Sequence, residues 1–229
     1  MPKKRTYATK TDLKSQKPWL KKVHTSEYKV ETENLKKTIL IVCEGENTEP
    51  LYFKSFPVLT LTVKTFGLGQ SKLKLIECAE EIQKSENFDE LWCVFDLDIK
   101  RDEQNCIPDF NNAIKKAKDL GFKVAYSNDA FELWFYLHYQ YNDCENHRTF
   151  YYEQLSQLWN INYEKEGKKR KFSSEILKRL QSDKRASQTE AIKRAKKLYE
   201  DKKELQYHLQ NPVTLVFELV ELLIENMKK

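Results

Sequence analysis

Four short segments of the chain combine β-branched and aromatic residues with few polar side chains, a pattern that predicts β-strands. These segments cover residues 38–43, 61–66, 91–98 and 122–127. The first and the third are apolar on both faces, which is typical of strands in the interior of a parallel sheet. We therefore expect these two strands to lie centrally.

Apolar residues at helical spacing follow each predicted strand. The pattern predicts helices from about residue 48, from Ser71, over 108–120 and over 129–141. The last of these segments is apolar nearly all round, so we expect a buried helix. Strands and helices then alternate along the chain. This order predicts an α/β fold with about four mainly parallel strands flanked by helices.

The C-terminal third has the pattern of a helical region. Ser187 and Glu190 have the spacing of a capping box ahead of an apolar periodic segment. Asn211-Pro212 predicts the start of another helix, which continues through VTLVFELVELLIENM with a broad apolar face. Residues 164–171, EKEGKKRK, precede both and predict a charge-rich loop.

Positive charge is concentrated at the N-terminus. The formal net charge is +5, but residues 1–37 alone contain eleven Lys or Arg and four Asp or Glu, which leaves −2 for the other residues. A basic arm of this kind is either solvated or in contact with a phosphate backbone. We predict a partly disordered basic arm at 1–37, an α/β core at 38–145 and a helical region at 146–229.

The composition argues against a membrane or a secreted protein. The sequence has no run of eighteen apolar residues, and no apolar stretch follows the basic N-terminus. The five cysteines are odd in number, scattered and without a C-x-x-C pair. This pattern predicts reduced thiols in the cytoplasm and neither a disulfide framework nor a zinc site.

Acidic residues follow two of the predicted strands. Glu44 comes directly after the first strand, and Asp96 and Asp98 end the third. Residues two apart in a strand point the same way, and open α/β sheets bind ligands beyond the carboxyl ends of their strands. Three carboxylates that converge there repel one another unless a cation is present. Mg²⁺ or Mn²⁺ with oxygen ligands would remove that repulsion and leave room for a phosphate.

Two other interpretations of these acids remain open at the level of the residues. A single acid after a strand is most often a solvated loop residue, which would give Glu44 no chemical role. The D-x-D pair also resembles the nucleophile motif of haloacid-dehalogenase-like phosphatases. That motif continues with Gly-Thr on the first strand, whereas Ile99 and Lys100 follow Asp98 on the third strand here.

Four blocks of the sequence together resemble the RloB family. They are ILIVCEGENTEPLYF, LWCVFDLD, AYSNDAFELWFYLHY and NPVTLVFELVELL, in the family's order over roughly residues 36–225. Glu-Gly after one strand and D-x-D after a later one are also similar to the Toprim fold of topoisomerases, primases and OLD-type nucleases. The resemblance implies a Toprim-like fold in a protein of bacterial defence and abortive infection that works beside an AAA-type ATPase.

The resemblance also implies roles for individual residues. Glu44 matches the general acid or base of phosphoryl transfer, and Asp96 and Asp98 match the metal-binding pair. Glu49 lies where OLD-like nucleases often place a further metal ligand. Glu132 belongs to a block typical of the family, and an acid within an apolar helix needs a partner.

Further residues are candidates for the site or for binding the substrate. Asn128 and His138 are possible additional members of the site. The residues expected to hold the nucleic-acid backbone are Lys100, Arg101, Lys168, Lys169, Arg170 and Lys171.

These roles predict a Mg²⁺-dependent nuclease that hydrolyses phosphodiester bonds in RNA, such as tRNA, or in DNA. The alternative is a non-catalytic sensor or adaptor that docks a partner ATPase, with the apolar C-terminal helix as the docking surface.

Overall fold

A five-stranded sheet organises the residues that the structure, a computed structural model, describes: 37–65, 71–99 and 105–227. Its strands are β1 (Ile39–Cys43), β2 (Leu61–Thr65), β3 (Glu90–Asp96), β4 (Lys123–Asn128) and β5 (Val213–Thr214). Their order is β2-β1-β3-β4-β5, with β1 to β4 parallel and β5 antiparallel to β4. The predicted α/β class and the mainly parallel sheet are confirmed, and the short β5 is an additional strand.

Helices connect and flank the strands. They are α1 (Thr48–Lys54), α2 (Lys72–Ser85), α3 (Cys106–Asp119), α4 (Glu132–Leu137), α5 (Arg148–Trp159), α6 (Arg170–Ser173), α7 (Ile176–Ser182), α8 (Gln188–Lys202) and α9 (Val216–Glu225). A π-helix at Tyr163–Gly167 and a 3-10 helix at Tyr207–Leu209 complete the set within the described residues. The helical C-terminal region is therefore also confirmed.

The apolar character of β1 places it in the middle of the parallel strands. All five of its side chains are buried, and it pairs with β2 on one side and β3 on the other. Cys43 at its end is in register with Val94, and the Glu44 N–H donates to the Val94 carbonyl at 2.9 Å. Consequently β1 and β3 deliver their following residues to the same edge of the sheet.

The third strand is shorter than predicted and ends at Asp96. Asp98 has a φ of 51°, in the left-handed region that aspartate tolerates better than most residues. The alternation of side chains along a strand therefore does not set the direction of Asp98. Instead, Asp98 lies beside the residue that follows β4, because the Asp98 N–H donates to the Asp129 carbonyl at 3.3 Å.

The segment after Asn211-Pro212 is not a helix at its start, contrary to the prediction. Val213 and Thr214 pair with the end of β4, and the Thr214 and Ser127 hydroxyls are 2.9 Å apart. Helix α9 begins only at Val216. Tertiary pairing overrides the local helix-start pattern because it satisfies the open edge of β4.

The apolar segment predicted as a helix over 129–141 forms the shorter helix α4. Its six residues are all buried, as the pattern predicted. Carbonyls at its C-terminal end are bonded by other segments: Arg194 Nη1 donates to Leu137 at 2.7 Å, and the Ser187 N–H donates to His138 at 2.9 Å. The Ser187 side chain caps α8 as predicted, by accepting from the Glu190 N–H.

The described residues belong to one compact unit. The basic arm predicted at 1–37 lies outside them except for Lys37, as do Lys100 and Arg101. The boundary at residue 145 stays a prediction. None of the helices within the described ranges is both long enough and apolar enough to cross a membrane.

Candidate functional site

A cleft of about 210 Å³ lies at the carboxyl edge of the sheet, where β1 and β3 end. The acidic side chains that line it are Glu44, Glu46, Glu49, Asp96, Asp98 and Glu132. The basic and aromatic side chains that line it are Arg148, Lys168, Phe131 and Tyr152. The structure thus brings together five of the acids predicted for the site, including Glu44 and the D-x-D pair.

Glu44 is held by a cation from a neighbouring helix. The Lys72 ammonium lies 3.3 Å from Glu44 Oε1, and the side chains are only 8% and 17% exposed. Lys72 is the first residue of α2, whose N-terminus is fixed by two acceptors. The Ser71 hydroxyl accepts from the Lys74 N–H, and the Asp109 carboxylate accepts from the Lys72 backbone N–H at 2.6 Å. This anchoring lets Lys72 orient Glu44 at low exposure.

Gly45 makes room for a neighbouring carboxylate. A Cβ at this position would clash with both oxygens of the Glu49 carboxylate, which lies directly against the Gly45 backbone. Glu49 is in the first turn of α1, immediately beyond the Glu44–Gly45 step. Burial, followed by the charges of Glu132 and Glu44, raises the Glu49 pKa to about 7. The glycine therefore admits a second carboxylate beside Glu44.

Asp96 has one satisfied and one unsatisfied oxygen. Its Oδ2 accepts from the Phe131 N–H at 2.9 Å, while its buried Oδ1 has no hydrogen-bond partner. Burial, reinforced by the nearby Glu49 and Glu132 carboxylates, raises the Asp96 pKa well above its usual range. A buried carboxylate oxygen without a donor is unfavourable unless a proton or a cation occupies it.

Asp98 pairs with Arg148, a residue that the sequence did not suggest. Arg148 Nη1 forms an ion pair with Asp98 Oδ1, and Nη2 donates to Asp129 Oδ1 at 3.0 Å. Asp129 is only 2% exposed and also accepts from the backbone N–H groups of Ile99 and Arg148. The first turn of α5 is thereby joined to the segment after β3.

Glu132 has partners from the π-helix region. The Tyr163 hydroxyl donates to Glu132 Oε1 at 3.2 Å, and Lys168 Nζ lies 3.7 Å from the same oxygen. Lys168 also bonds the Tyr152 hydroxyl and lies over its ring. Gly167 permits this packing, because a Cβ there would clash with the Tyr163 ring. Single-turn π-helices are frequent at functional sites.

Several predicted residues lie away from the cleft lining. Asn128 is fully buried and donates to the carbonyls of Tyr207 and His208, which ties β4 to the 3-10 helix. Lys169, Arg170 and Lys171 are exposed but do not line the cleft, and only Lys168 of that group does.

His138 has the environment of a structural residue. It is 2% exposed, its Nδ1 is 2.9 Å from the Trp134 carbonyl, and its ring packs edge-on against Trp134. Burial lowers the His138 pKa to about 4. The charged imidazole is thus disfavoured in the folded chain.

Replacing His138 tests this structural role through the pH dependence of stability. A lowered pKa means that the folded state loses stability as pH falls from about 6.5 through 4, by roughly 3 kcal/mol in total. His138→Gln should remove that loss, so wild type and variant should converge in acid. Urea denaturation at pH 7 and pH 4.5 measures it, with His147→Asn as the control. Equal acid sensitivity of His138→Gln and wild type would contradict the prediction.

The donors in the cleft are of the type that a hard divalent cation prefers. Carboxylate oxygens are the ligands that Mg²⁺ and Mn²⁺ prefer, and Asp96 Oδ1 is a buried oxygen that lacks a donor. Among the described residues, however, no group of three or more Asp, Glu, His or Cys side chains is placed so that it could hold a metal ion. In this structure Glu44 pairs with Lys72 and Asp98 pairs with Arg148.

The family model for RloB-like proteins matches residues 39–223. The chain belongs to the RloB-like family. The match spans β1 to α9 and so includes every residue of the cleft. No curated protein and no solved structure matches the chain.

The sequence of this RloB-like chain did not reveal four residues around the cleft: Lys72, Asp129, Arg148 and Tyr152. Lys72 lies at the start of a predicted helix and gave no separate indication of a role. Arg148 and Tyr152 lie in the first turns of α5, where the sequence has no recognisable motif. Asp129 carried a weak indication, because SNDAF places a polar pair between a buried strand and a buried helix. Such a pair requires hydrogen-bond partners.

Proposed function

We propose that this RloB-like protein is a divalent-metal-dependent nuclease that hydrolyses phosphodiester bonds in RNA, such as tRNA, or in DNA. The observation that supports the proposal best is Asp96. Its Oδ1 is buried without a donor at the end of β3, beside Glu44 and Glu49 and within the same cleft as Asp98. Clustered acids whose pKa values are raised by burial and by one another are typical of functional sites.

Asp96 and Asp98 would hold the cation, with Glu49 as a further ligand. When bound, Mg²⁺ or Mn²⁺ supplies Lewis-acid stabilisation of the charge that develops on a scissile phosphate. Asp98 must exchange its Arg148 contact for this role, whereas Asp96 has a free oxygen already. Glu132, the residue directly after Phe131, adds negative charge to the same cleft.

Glu44 would move the proton. Its backbone is fixed by the bond to Val94, and its carboxylate is held by Lys72 at low exposure. An ionised carboxylate in this position accepts a proton from an attacking water or returns one to the leaving oxygen. Lys72 keeps Glu44 directed and removes part of the repulsion from the neighbouring acids.

Glu44→Gln tests the catalytic assignment. The amide keeps the shape and one acceptor but accepts no proton, so the cleavage rate should fall on the order of 10²- to 10⁴-fold with little change in metal affinity. The measurement is cleavage of labelled RNA and DNA with Mg²⁺ or Mn²⁺. Glu80→Gln is a matched control, because Glu80 is on α2 and pairs with Lys84 at the surface. Full activity of Glu44→Gln would refute the assignment.

A role in bacterial antiviral defence beside an AAA-type ATPase, in the cytoplasm, is also proposed from family membership. The adaptor alternative had the apolar C-terminal helix as its docking surface. In the structure, α9 directs its apolar face into the core, with Val216, Phe217, Leu219, Val220 and Leu223 buried. That helix therefore offers little free apolar surface to a partner, which favours the enzymatic proposal.

A further inference from the structure

Acidic side chains outnumber basic ones in the described lining of the cleft. Among the described lining residues, six are acidic and two, Arg148 and Lys168, are cationic. A phosphodiester adds a further charge, so binding requires fixed cations at the place where the backbone enters. Lys168 is already engaged by Glu132 and by Tyr152. Binding of a phosphate therefore depends chiefly on how Arg148 is held and on which of its N–H donors are unused.

Arg148 is anchored from below by a carboxylate outside the cleft lining. Asp129 accepts from the Arg148 backbone N–H at 3.1 Å and from Nη2 at 3.0 Å, and it is 2% exposed. Asp129 also accepts from the Ile99 N–H. A buried carboxylate with three donors holds its partner in one orientation. Helix α5, twelve residues long, starts at this arginine.

The other end of the guanidinium lies in the cleft beside Asp98. Nη1 pairs with Asp98, while the Arg148 side chain keeps 19% exposure. A guanidinium has five N–H donors in a planar fork that matches a phosphate, and these two contacts use only part of them. The Asp98 contact is also the one that a cation on Asp98 would displace. Anchoring by Asp129 persists in either case.

We propose that Arg148 binds a substrate phosphate in this cleft, that Asp129 is its positioning residue, and that Arg148 and a cation compete for Asp98. This proposal rests on the nuclease function proposed above and adds the residue that recognises the backbone. It follows that the helical C-terminal region contributes directly to the substrate site. A guanidinium that binds a backbone phosphate does not distinguish between bases, so the proposal applies to RNA and to DNA.

The experiment measures binding apart from cleavage. Binding of labelled single-stranded RNA and DNA oligonucleotides is followed by fluorescence anisotropy with Ca²⁺, over a range of salt concentrations. Arg148→Gln should weaken binding about tenfold or more and lower the slope of log K against log salt by about 0.7, the value for one phosphate contact. Arg148→Lys should retain the slope but only part of the affinity. Asp129→Asn should give an intermediate loss.

A metal titration without nucleic acid provides the second readout. Calorimetry with Mn²⁺ should show severalfold tighter binding to Arg148→Gln than to wild type, because Asp98 loses its competing cation. Arg185→Gln is the matched control: Arg185 pairs with Asp183 at the surface and is 61% exposed. Melting curves of all variants confirm that each is folded.

The outcomes separate this proposal from the nuclease function. Wild type that cleaves, together with an Arg148→Gln variant of unchanged salt slope and unchanged Mn²⁺ affinity, overturns the role of Arg148 alone. Wild type that binds nucleic acid through Arg148 but never cleaves overturns the nuclease function alone. Absence of binding by wild type overturns both.

Discussion

Asp96→Asn should abolish metal-dependent cleavage and, with no metal present, raise the melting temperature. The cleavage rate should fall on the order of 10³-fold or more, because the residue that offers a free buried oxygen to the cation is lost. Stability should rise because Asn keeps the acceptor for the Phe131 N–H and gains a donor that the Glu49 and Glu132 carboxylates attract. About 1 kcal/mol moves the melting temperature of a domain of this size by roughly 2–4 °C.

An Asp-to-Asn substitution at Asp183, outside the cleft, should change the melting temperature in the opposite direction. Asp183 pairs with Arg185, and that hydrogen bond lowers the Asp183 pKa to about 2. Asp183→Asn should therefore lower the melting temperature and leave cleavage unchanged. Scanning calorimetry in EDTA at pH 8, paired with cleavage assays in Mg²⁺, compares both variants with wild type. A lower melting temperature for Asp96→Asn would show that the carboxylate stabilises the fold, which is the reverse of our expectation.

The parts of the fold that the sequence predicted correctly are those controlled by local pattern. An unbroken apolar segment identified β1 as an interior strand, because only a strand covered on both faces buries five consecutive side chains. The same pattern located Glu44 and Asp96, since each follows such a segment directly. Chain order then brought them to one edge of the sheet, because parallel neighbours end on the same side.

The remainder of the site depends on contacts that no local pattern encodes. Arg148 reaches Asp98 and Asp129 only because α5 packs against α4, which a single sequence does not show. Asp98 joins the cleft by a left-handed turn and not by the alternation of a strand. Gly45 lies against the Glu49 carboxylate, and its lack of a side chain makes room for that carboxylate. In each case a tertiary neighbour decided the outcome.

In the absence of metal, the contribution of Glu49 to stability should fall as pH rises from about 4.5 to 7, and Mg²⁺ or Mn²⁺ should offset that loss. Burial and the nearby carboxylates raise the Glu49 pKa from 4.5 to about 7. A raised acid pKa means that the folded state prefers the protonated carboxyl. Its contribution is present below the unfolded pKa and is lost as pH rises through the folded one, by roughly 3 kcal/mol. Asp96 changes stability in the same direction.

Glu49→Gln isolates this effect from every other titrating group. The amide resembles the protonated carboxyl, so the variant should match wild type at pH 4.5 and exceed it in stability above pH 7 in EDTA. Addition of Mn²⁺ at pH 7.5 should stabilise wild type more than Glu49→Gln, because a bound cation favours the ionised carboxylate. Urea denaturation at both pH values, with and without Mn²⁺, gives the four free energies of unfolding. Identical pH profiles for the two proteins in EDTA would show that Glu49 is not buried among like charges, and an absence of Mn²⁺ stabilisation in wild type would remove the metal from the proposed mechanism.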